Sequence, residues 1–353
     1  MNVDAVRAVL AEYGRPWDST HAVAAPASGG FSGGAVWKVD VHGRCAALRR
    51  WPDDFPRDRL ARLHGLLALF RKRGLLFSPN PLPSRDGASV VKIGRGLWDL
   101  CDWIPGEPDS GGALNLARIH SAVDCLRRTH LLSSDPDVAR LAQAMDPGEA
   151  ADALAAGRTA PSLGAIRRLN EWKRLRTIPP SAADCTGDPD QLGPRSLQLA
   201  AREEVWMNGL DALVKLRLPM KICWRDAHRG NVLFQGDEVA GVVDYGAIGV
   251  DAPAADYGRL LGSWLPKEPH RWAPILESAA GGSVDAERLA RLSWDFHRSG
   301  LVVAMLHWRE WLLVERRPFA DRSAAYARWR SIVETLESTP AQVDVAGGAR
   351  PSP

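Results

Sequence analysis

Apolar residues recur at two spacings along this chain. At helical spacing, residues 3–13 place Val3, Val6, Val9, Leu10 and Tyr13 on one face, which predicts a short amphipathic helix. Residues 57–73 do the same with Leu60, Leu63, Leu66, Leu67 and Phe70, and stop at Gly74, a residue suited to the left-handed turn that ends a helix. Residues 114–132 carry Leu116, Ile119, Val123 and Leu126 in register, and 197–216, 271–276, 284–315 and 321–336 read as further packed helices. Short runs at 21–27, 35–39, 45–51, 89–94 and 97–103 read as strands. Pro105-Gly106 closes the last of them, so a boundary between a strand-bearing first part and a mainly helical second part is expected near Ile104. Residues 133–195 lose periodicity among Pro, Gly and Asp clusters, apart from short helices such as 162–174. They are expected to form an irregular insertion that shapes a substrate site. Residues 338–353 are expected to be a disordered tail, and there is no internal repeat.

Composition narrows the class. Of 353 residues, 45% are apolar and 25% charged, which is ordinary for a soluble globular chain with a sizeable core. The formal net charge of +3 gives no reason to expect a nucleic acid or an anionic membrane as partner. Five cysteines, at 45, 101, 125, 185 and 223, are odd in number and lack a CxxC spacing, which argues against a disulfide framework or a zinc site and for a reducing, cytoplasmic setting. The first residues, with Asp4 and Glu12, lack the pattern of a signal peptide, and no apolar run approaches the roughly 20 residues that span a bilayer. Fourteen tryptophans, scattered through the chain, read as packing residues rather than as a stacking platform for bases.

Candidate chemistry is concentrated in residues 222–245. Two apolar segments suited to strands flank a polar loop, Trp224-Arg225-Asp226-Ala227-His228-Arg229-Gly230-Asn231, and the second segment ends on Asp244. Phosphoryl transfer needs one carboxylate to orient the attacking hydroxyl, and an amide and a second carboxylate to hold Mg²⁺ on the nucleotide phosphates. Asp226, Asn231 and Asp244 supply these in order, and a strand, turn and strand return brings the last beside the first two.

At these residues the chain resembles the aminoglycoside phosphotransferase and choline kinase family of small-molecule kinases. The family's loop reads His-Gly-Asp-x-x-x-x-Asn, followed about a dozen residues later by an apolar run into Asp-aromatic-Gly; here Trp224 and Arg225 replace the His and Gly. The resemblance implies an α+β, protein-kinase-like two-lobed fold. A small antiparallel-sheet N-lobe with its linker would occupy residues 1–104, and a mainly helical C-lobe 105–337. It further implies ATP or GTP and Mg²⁺, and a small hydroxylated acceptor.

Other stretches take roles from the same resemblance. Ser28-Gly29-Gly30-Phe31-Ser32-Gly33-Gly34, between two strands, has the glycines to let backbone amides approach a phosphate, and Gly29, Gly30, Ser32 and Gly33 are its candidate contacts. Arg49 stands where the family has a phosphate-binding Lys, and a guanidinium fork is not a simple replacement for an ammonium. The Glu that normally pairs with that Lys is missing: no Glu occurs between Arg49 and Gly74, and His64 lies near its place. Either Arg49 meets phosphate directly beside a neutral His64, or Asp58 substitutes, or nucleotide binding is weakened. Leu100 and Cys101 match the interlobe segment that flanks the base. Asp256, in Gly249-Val250-Asp251-Ala252-Pro253-Ala254-Ala255-Asp256, matches the Asp that supports the catalytic loop, while Asp251 reads as a helix cap and His120 as a scaffold residue. The arginines of the last helices, Arg298, Arg309, Arg316, Arg317, Arg322, Arg328 and Arg330, suit an anionic or neutral acceptor better than a polycation. The missing Lys and Glu motivate a second reading, a pseudokinase-type nucleotide-binding scaffold; the intact Asp226, Asn231 and Asp244 oppose it.

Overall fold

The structure, a computed structural model, describes residues 3–18, 23–26, 34–179, 188–208, 210–280, 286–319 and 321–339. It opens with helix α1 (Val3–Tyr13) and a five-stranded antiparallel sheet ordered β1-β2-β3-β5-β4. Its strands are β1 (Val23–Pro26), β2 (Ala35–Val41), β3 (Arg44–Arg50), β4 (Val91–Ile93) and β5 (Gly96–Asp102), with helix α2 (Arg57–Lys72) between β3 and β4. The hairpin from β2 to β3 turns at His42 and Gly43, both at positive φ (52° and 83°), and the Gly43 amide donates to Asp40 Oδ1 at 3.1 Å.

Alternation along the strands sends side chains to two different cores. Trp37, Val39 and Val41 of β2, Ala46 and Leu48 of β3, and Leu100 of β5 meet Val6, Val9, Leu10 and Tyr13 of α1. On the other face, Trp51, Leu97 and Cys101 join the apolar side of α2 in a second core that continues through the helical part of the molecule.

The chain leaves the sheet after Asp102, and β6 (Glu107–Pro108) pairs with the second lobe's β10. The remaining elements are α3 (Leu116–Leu131), α4 (Pro136–Met145), α5 (Glu149–Ala155), β7 (Thr159–Ala160), α6 (Leu163–Leu175), α7 (Leu192–Asn208), α8 (Leu210–Lys215), β8 (Leu218–Pro219), β9 (Lys221–Cys223), β10 (Val232–Gln235), β11 (Glu238–Val242), β12 (Gly249–Asp251), α9 (Pro253–Trp264), α10 (Trp272–Ala280), α11 (Ala286–Arg309) and α12 (Arg322–Ser338). Helix α11 is central and packs against α6, α7, α9, α10 and α12. Its approach to α9 depends on two glycines: a Cβ at Gly258 would stand 2.3 Å from the Ser293 carbonyl oxygen, and one at Gly262 2.0 Å from His297 Nδ1.

Two expectations change. Residues 133–195 are not an irregular insertion where they are described, because α4, α5 and α6 bury Val138, Ala142, Ala151, Leu154, Leu169 and Trp172 in the main core. Helix α6 matches the helix expected over 162–174, whereas α4 and α5 span only ten and seven residues and bury much alanine, so their sequence periodicity is faint. Two arginines expected on a basic surface are structural: Arg298 is buried on Glu203 through two bonds of 2.7 and 2.8 Å, and the Arg309 guanidinium donates to the carbonyls of Ile178 and Pro179. Residues 340–353, and so nearly all of the expected tail, lie outside the described residues. Among the described residues no helix is long and apolar enough to cross a membrane.

Candidate functional site

The loop between β9 and β10 is held from below by one carboxylate. Asp256, fully buried in the first turn of α9, accepts the backbone amides of Trp224 (2.9 Å, Oδ2) and Arg225 (2.6 Å, Oδ1) and a bond with His130 Nε2 (3.0 Å, Oδ2). Trp224, where the resemblance has His, buries its ring and donates Nε1–H to Thr129 Oγ1 at 3.1 Å. Arg225 takes a left-handed backbone (φ 63°) and donates to the Val250 carbonyl at 2.6 Å. A non-glycine residue in that region costs about 1 kcal/mol, so the surrounding bonds determine the loop's shape. His130, Cys223 and Asp256 lie close enough together to suggest a metal cluster. Their bonds are already committed, however: Cys223 Sγ donates to the Asp251 carbonyl, and both Asp256 oxygens are occupied.

Above this support, Asp226 is partly exposed. The Arg259 guanidinium of α9 grips one of its oxygens, with Nε and Nη2 each 2.9 Å from Oδ1, and Oδ2 has no hydrogen-bond partner among the described residues. Asn231 donates its side-chain amide to the Asp226 carbonyl at 3.0 Å, and its own carbonyl accepts the Val243 amide at 2.8 Å. That backbone bond continues the β10–β11 pairing, in which Val232 faces Val242, and so sets Asp244 next in line beside Asn231. Asp244 is left-handed (φ 58°, ψ 57°), a conformation Asp tolerates better than most residues. Its side chain is half exposed and makes no bond within its own turn. Across the cleft, Arg49 Nη1 stands 3.5 Å from Asp244 Oδ1.

Arg49 is the penultimate residue of β5's partner strand β3, directly opposite Asp99 in the register. Its guanidinium lies 4.5 Å from the Tyr245 ring centroid and 5.1 Å from that of Trp51. Neither Asp58, which is exposed, nor a direct contact with His64 supplies the counter-charge. The carboxylate at ion-pair distance is that of Asp244, and charge at longer range comes from Asp99 on the neighbouring strand. Asp99 is fully buried, and its Oδ2 accepts Trp51 Nε1–H (2.7 Å) and the Tyr245 hydroxyl (2.7 Å) and meets His64 Nε2 at 3.0 Å. Burial alone would raise the Asp99 pKa, but His64, Arg49 and Tyr245 together hold it below the usual carboxylate range. Burial drives the Tyr245 hydroxyl well above its ordinary value, so it stays a proton donor. Tyr245 is the aromatic of the Asp-aromatic-Gly pattern, but Asp99, His130 and Arg259 carry no local motif that marks them; only their position opposite or beneath motif residues could have done so.

Leu100 and Cys101 are less open than the sequence suggests. Their strand is bonded to β3 on one edge, while the other edge is occupied by the Leu82 amide on the Leu100 carbonyl (2.7 Å) and the Pro81–Cys101 bridge. Both side chains are buried, and Cys101 Sγ lies 3.3 Å from the Tyr245 hydroxyl. The accessible part of the connection begins at Trp103. Gly29, Gly30, Ser32 and Gly33 lie outside the described residues. Asp251 does not cap α9. Its carboxylate accepts Ser162 Oγ (2.6 Å) and the Gly164 amide (2.9 Å), fixing the start of α6 to the catalytic side of the lobe. His120 is exposed.

The profile of a family described as "Phosphotransferase enzyme family" matches residues 23–294. The chain belongs to this family. Among solved structures it resembles spectinomycin phosphotransferase in complex with ADP and spectinomycin, with TM-score 0.66 and 13% identity over 97% of this chain and 99% of that one. It also resembles an amicoumacin kinase in complex with AMP-PNP, Ca²⁺ and Ami, with TM-score 0.61 and 16% identity over 97% and 95%. A choline/ethanolamine kinase family protein from Mesorhizobium loti gives TM-score 0.54 and 16% identity over 99% and 100%. At these identities the likeness is one of fold, and that fold is protein-kinase-like. No curated protein sequence matches the chain significantly. Within the phosphotransferase family, Asn231 and Asp244 are suitable donors for a hard divalent cation: an amide and an exposed carboxylate, oxygen ligands both, with Asp244 free of bonds to its own turn.

Proposed function

We propose that the chain is a small-molecule kinase, transferring the γ-phosphoryl group of ATP or GTP to a hydroxyl of its acceptor. One observation carries the reading: a carboxylate with a free oxygen (Asp226), a side-chain amide bonded to its backbone (Asn231) and a second, exposed carboxylate (Asp244) meet a guanidinium from the opposite lobe (Arg49). Asp226 orients the acceptor hydroxyl and takes its proton, while Arg259 fixes the carboxylate's direction. Asn231 and Asp244 hold Mg²⁺, which when bound offsets the charge on the phosphate oxygens. Arg49 and the loop containing Gly29, Gly30, Ser32 and Gly33 bind the phosphates, and the connection from Trp103 to Gly106 lines the base. The chain's own contribution is positioning and fixed charge. The nucleotides and Ca²⁺ bound in the two antibiotic-kinase neighbours support this assignment.

The test is a thermal shift with Mg-ATP and Mg-GTP, followed by nucleoside diphosphate release across a panel of hydroxylated metabolites. Asp226→Ala should keep the nucleotide shift and lose turnover; Asp244→Ala should lose the Mg²⁺-dependent part of the shift. Absence of stabilisation by either nucleotide would overturn the reading, and a nucleotide shift with no diphosphate release across the panel would favour the nucleotide-binding scaffold.

A further inference from the structure

Basic side chains from four helices gather around Arg259 and Asp226, and two of them carry buried nitrogens without a hydrogen-bond partner. Arg259 of α9 already bonds Asp226. Arg168 of α6 lies over the Phe296 ring (5.1 Å to its centroid) and within 3.6 Å of where a Cβ of Gly300 would be, so it is packed against α11. Its Nη1 is buried without a hydrogen-bond partner. His297 of α11, pressed against Gly262, likewise has a buried and unpartnered Nε2. Arg328 of α12 is exposed and makes no ion pair among the described residues.

These groups lie within electrostatic reach of one another. Burial first, then Asp251 opposing and Arg259 adding, brings Arg168 down to about 10. Burial, Arg259 and Arg168 bring His297 down to about 3. The protein packed around the Arg328 head group, then Arg259, lower it too, with Asp226 opposing and Arg229 adding. Of the carboxylates in reach, Asp226 pairs with Arg259 through Oδ1, and Asp251 stands 3.8 Å from Arg225 and forms no ion pair with Arg168 or Arg328. A buried guanidinium nitrogen and a buried imidazole nitrogen left without partners are costly, and an anion that accepts from them beside Arg259 and Arg328 relieves that cost.

We propose that the acceptor carries an anionic group, a carboxylate or a phosphate, and that Arg168, His297, Arg259 and Arg328 form the subsite that receives it beside Asp226. The inference rests on the proposed kinase reading, since Asp226 defines where the acceptor hydroxyl lies. His297 contributes its ring N–H as a neutral donor, and the guanidiniums supply charge and paired N–H groups that match a planar carboxylate or a phosphate face. The same cations disfavour a polycationic acceptor through like-charge repulsion.

The probes are D-glycerate, a carboxylate that bears hydroxyls, and inorganic phosphate, each titrated into the full chain at constant ionic strength with chloride as the reference. Thermal shift is read for the wild type, Arg168→Gln, Arg328→Gln and Arg49→Gln. The expected result is a saturable shift with at least one probe, with half-saturation weakened about tenfold or more in Arg168→Gln and Arg328→Gln, the loss of one charge-assisted contact each. Arg49→Gln should leave the D-glycerate half-saturation at its wild-type value, because Arg49 belongs to the nucleotide side; inorganic phosphate also meets Arg49, so its shift counts toward the subsite only by the part that Arg168→Gln or Arg328→Gln removes. Arg328 is exposed, so its variant folds even if that of Arg168 does not. Shifts no larger than with chloride, or equal shifts in the wild type and Arg328→Gln, would overturn the subsite. Mg-ATP titrated in parallel reads the kinase assignment separately: its shift should persist in Arg168→Gln and Arg328→Gln. If Mg-ATP stabilises and a cationic hydroxy compound such as choline is phosphorylated faster than D-glycerate, the subsite fails while the kinase reading stands.

Discussion

Asp256→Asn is the sharpest test of how the catalytic loop is held. The Asp256 carboxylate accepts two backbone amides, from Trp224 and Arg225, through its two different oxygens, and His130 shares one of them. An asparagine of the same shape can offer an oxygen to only one side; its NH₂ then faces a donor. Hydrogen bonds to a charged group contribute about 1.5–3 kcal/mol each, and a buried donor left without an acceptor costs a further 1–3 kcal/mol, so a loss of about 3–5 kcal/mol is expected. For a chain of this length that corresponds to a fall in Tm of about 4–7 °C. The catalytic effect should be larger in proportion. Arg225 is held at positive φ by these bonds, and Asp226 follows it directly; a displacement of about 1 Å in a positioned group can cost about 100-fold in rate. Thermal denaturation and diphosphate release would be measured side by side, with the Mg-ATP shift as the control, since Asn231, Asp244 and Arg49 keep their own supports. A variant with wild-type Tm and wild-type turnover would refute the view that Asp256 sets the loop.

Three further substitutions separate other parts of the argument. Arg298→Ala should destabilise by about 3 kcal/mol in chemical denaturation, because it removes two of the bonds to the buried Glu203 and leaves only that from Arg202, whereas Arg328→Ala should change stability by less than about 0.5 kcal/mol. Tyr245→Phe removes one of three bonds to Asp99 Oδ2 while leaving the ring under Arg49, and should cost about 1.5–3 kcal/mol with nucleotide affinity reduced less than in Arg49→Ala. Burial raises Asp295 to about 6 against about 4 when unfolded, so the folded state holds this proton more tightly. Stability from this group therefore declines as pH rises from about 4 to about 6, and Asp295→Asn should stabilise by up to about 3 kcal/mol at pH 7.5 and about half as much at pH 5, read by chemical denaturation at the two pH values.

Much of the fold could be read along the chain, because the signals there are local. The strands of the first sheet and the helix over 57–72 follow from alternation and from Leu and Phe at three- and four-residue spacing. Helix α6 is legible over 162–174, whereas α4 and α5 are not, since alanine at a buried position gives little apolar contrast and each is too short to repeat its pattern. The site divides the same way. Asp226, Asn231 and Asp244 are visible because one loop and one hairpin hold all three. The residues that support or charge that loop arrive from elsewhere: Asp256 from α9, His130 and Thr129 from α3, Arg168 from α6 and Arg328 from α12. Only Asp256 sits in a recognisable segment. An arginine count over the last helices is equally blind to place, which is why Arg298 and Arg309, buried in structural bonds, and Arg328, beside the cleft, look alike in sequence.

The missing Glu of α2 bears on whether the chain is an enzyme, and the register of β3 and β5 answers part of that question. In the family pattern the Lys on a strand is paired with an acid on a helix, so the pair forms only when the helix is correctly placed. Here Arg49 and Asp99 are direct partners on adjacent strands, and their separation is set by the sheet's own hydrogen bonds. Helix α2 instead contributes His64 to the far oxygen arrangement of Asp99, and the turn bearing Asp244 contributes Tyr245 to the same oxygen. One buried carboxylate thus connects the cationic strand, the helix and the carboxylate turn, and Arg49 stacks on the Tyr245 ring within that assembly. Negative charge near Arg49 thus comes from Asp244 at 3.5 Å and, at longer range, from Asp99 on the neighbouring strand, so the absence of Glu from residues 50–73 does not leave Arg49 without a carboxylate.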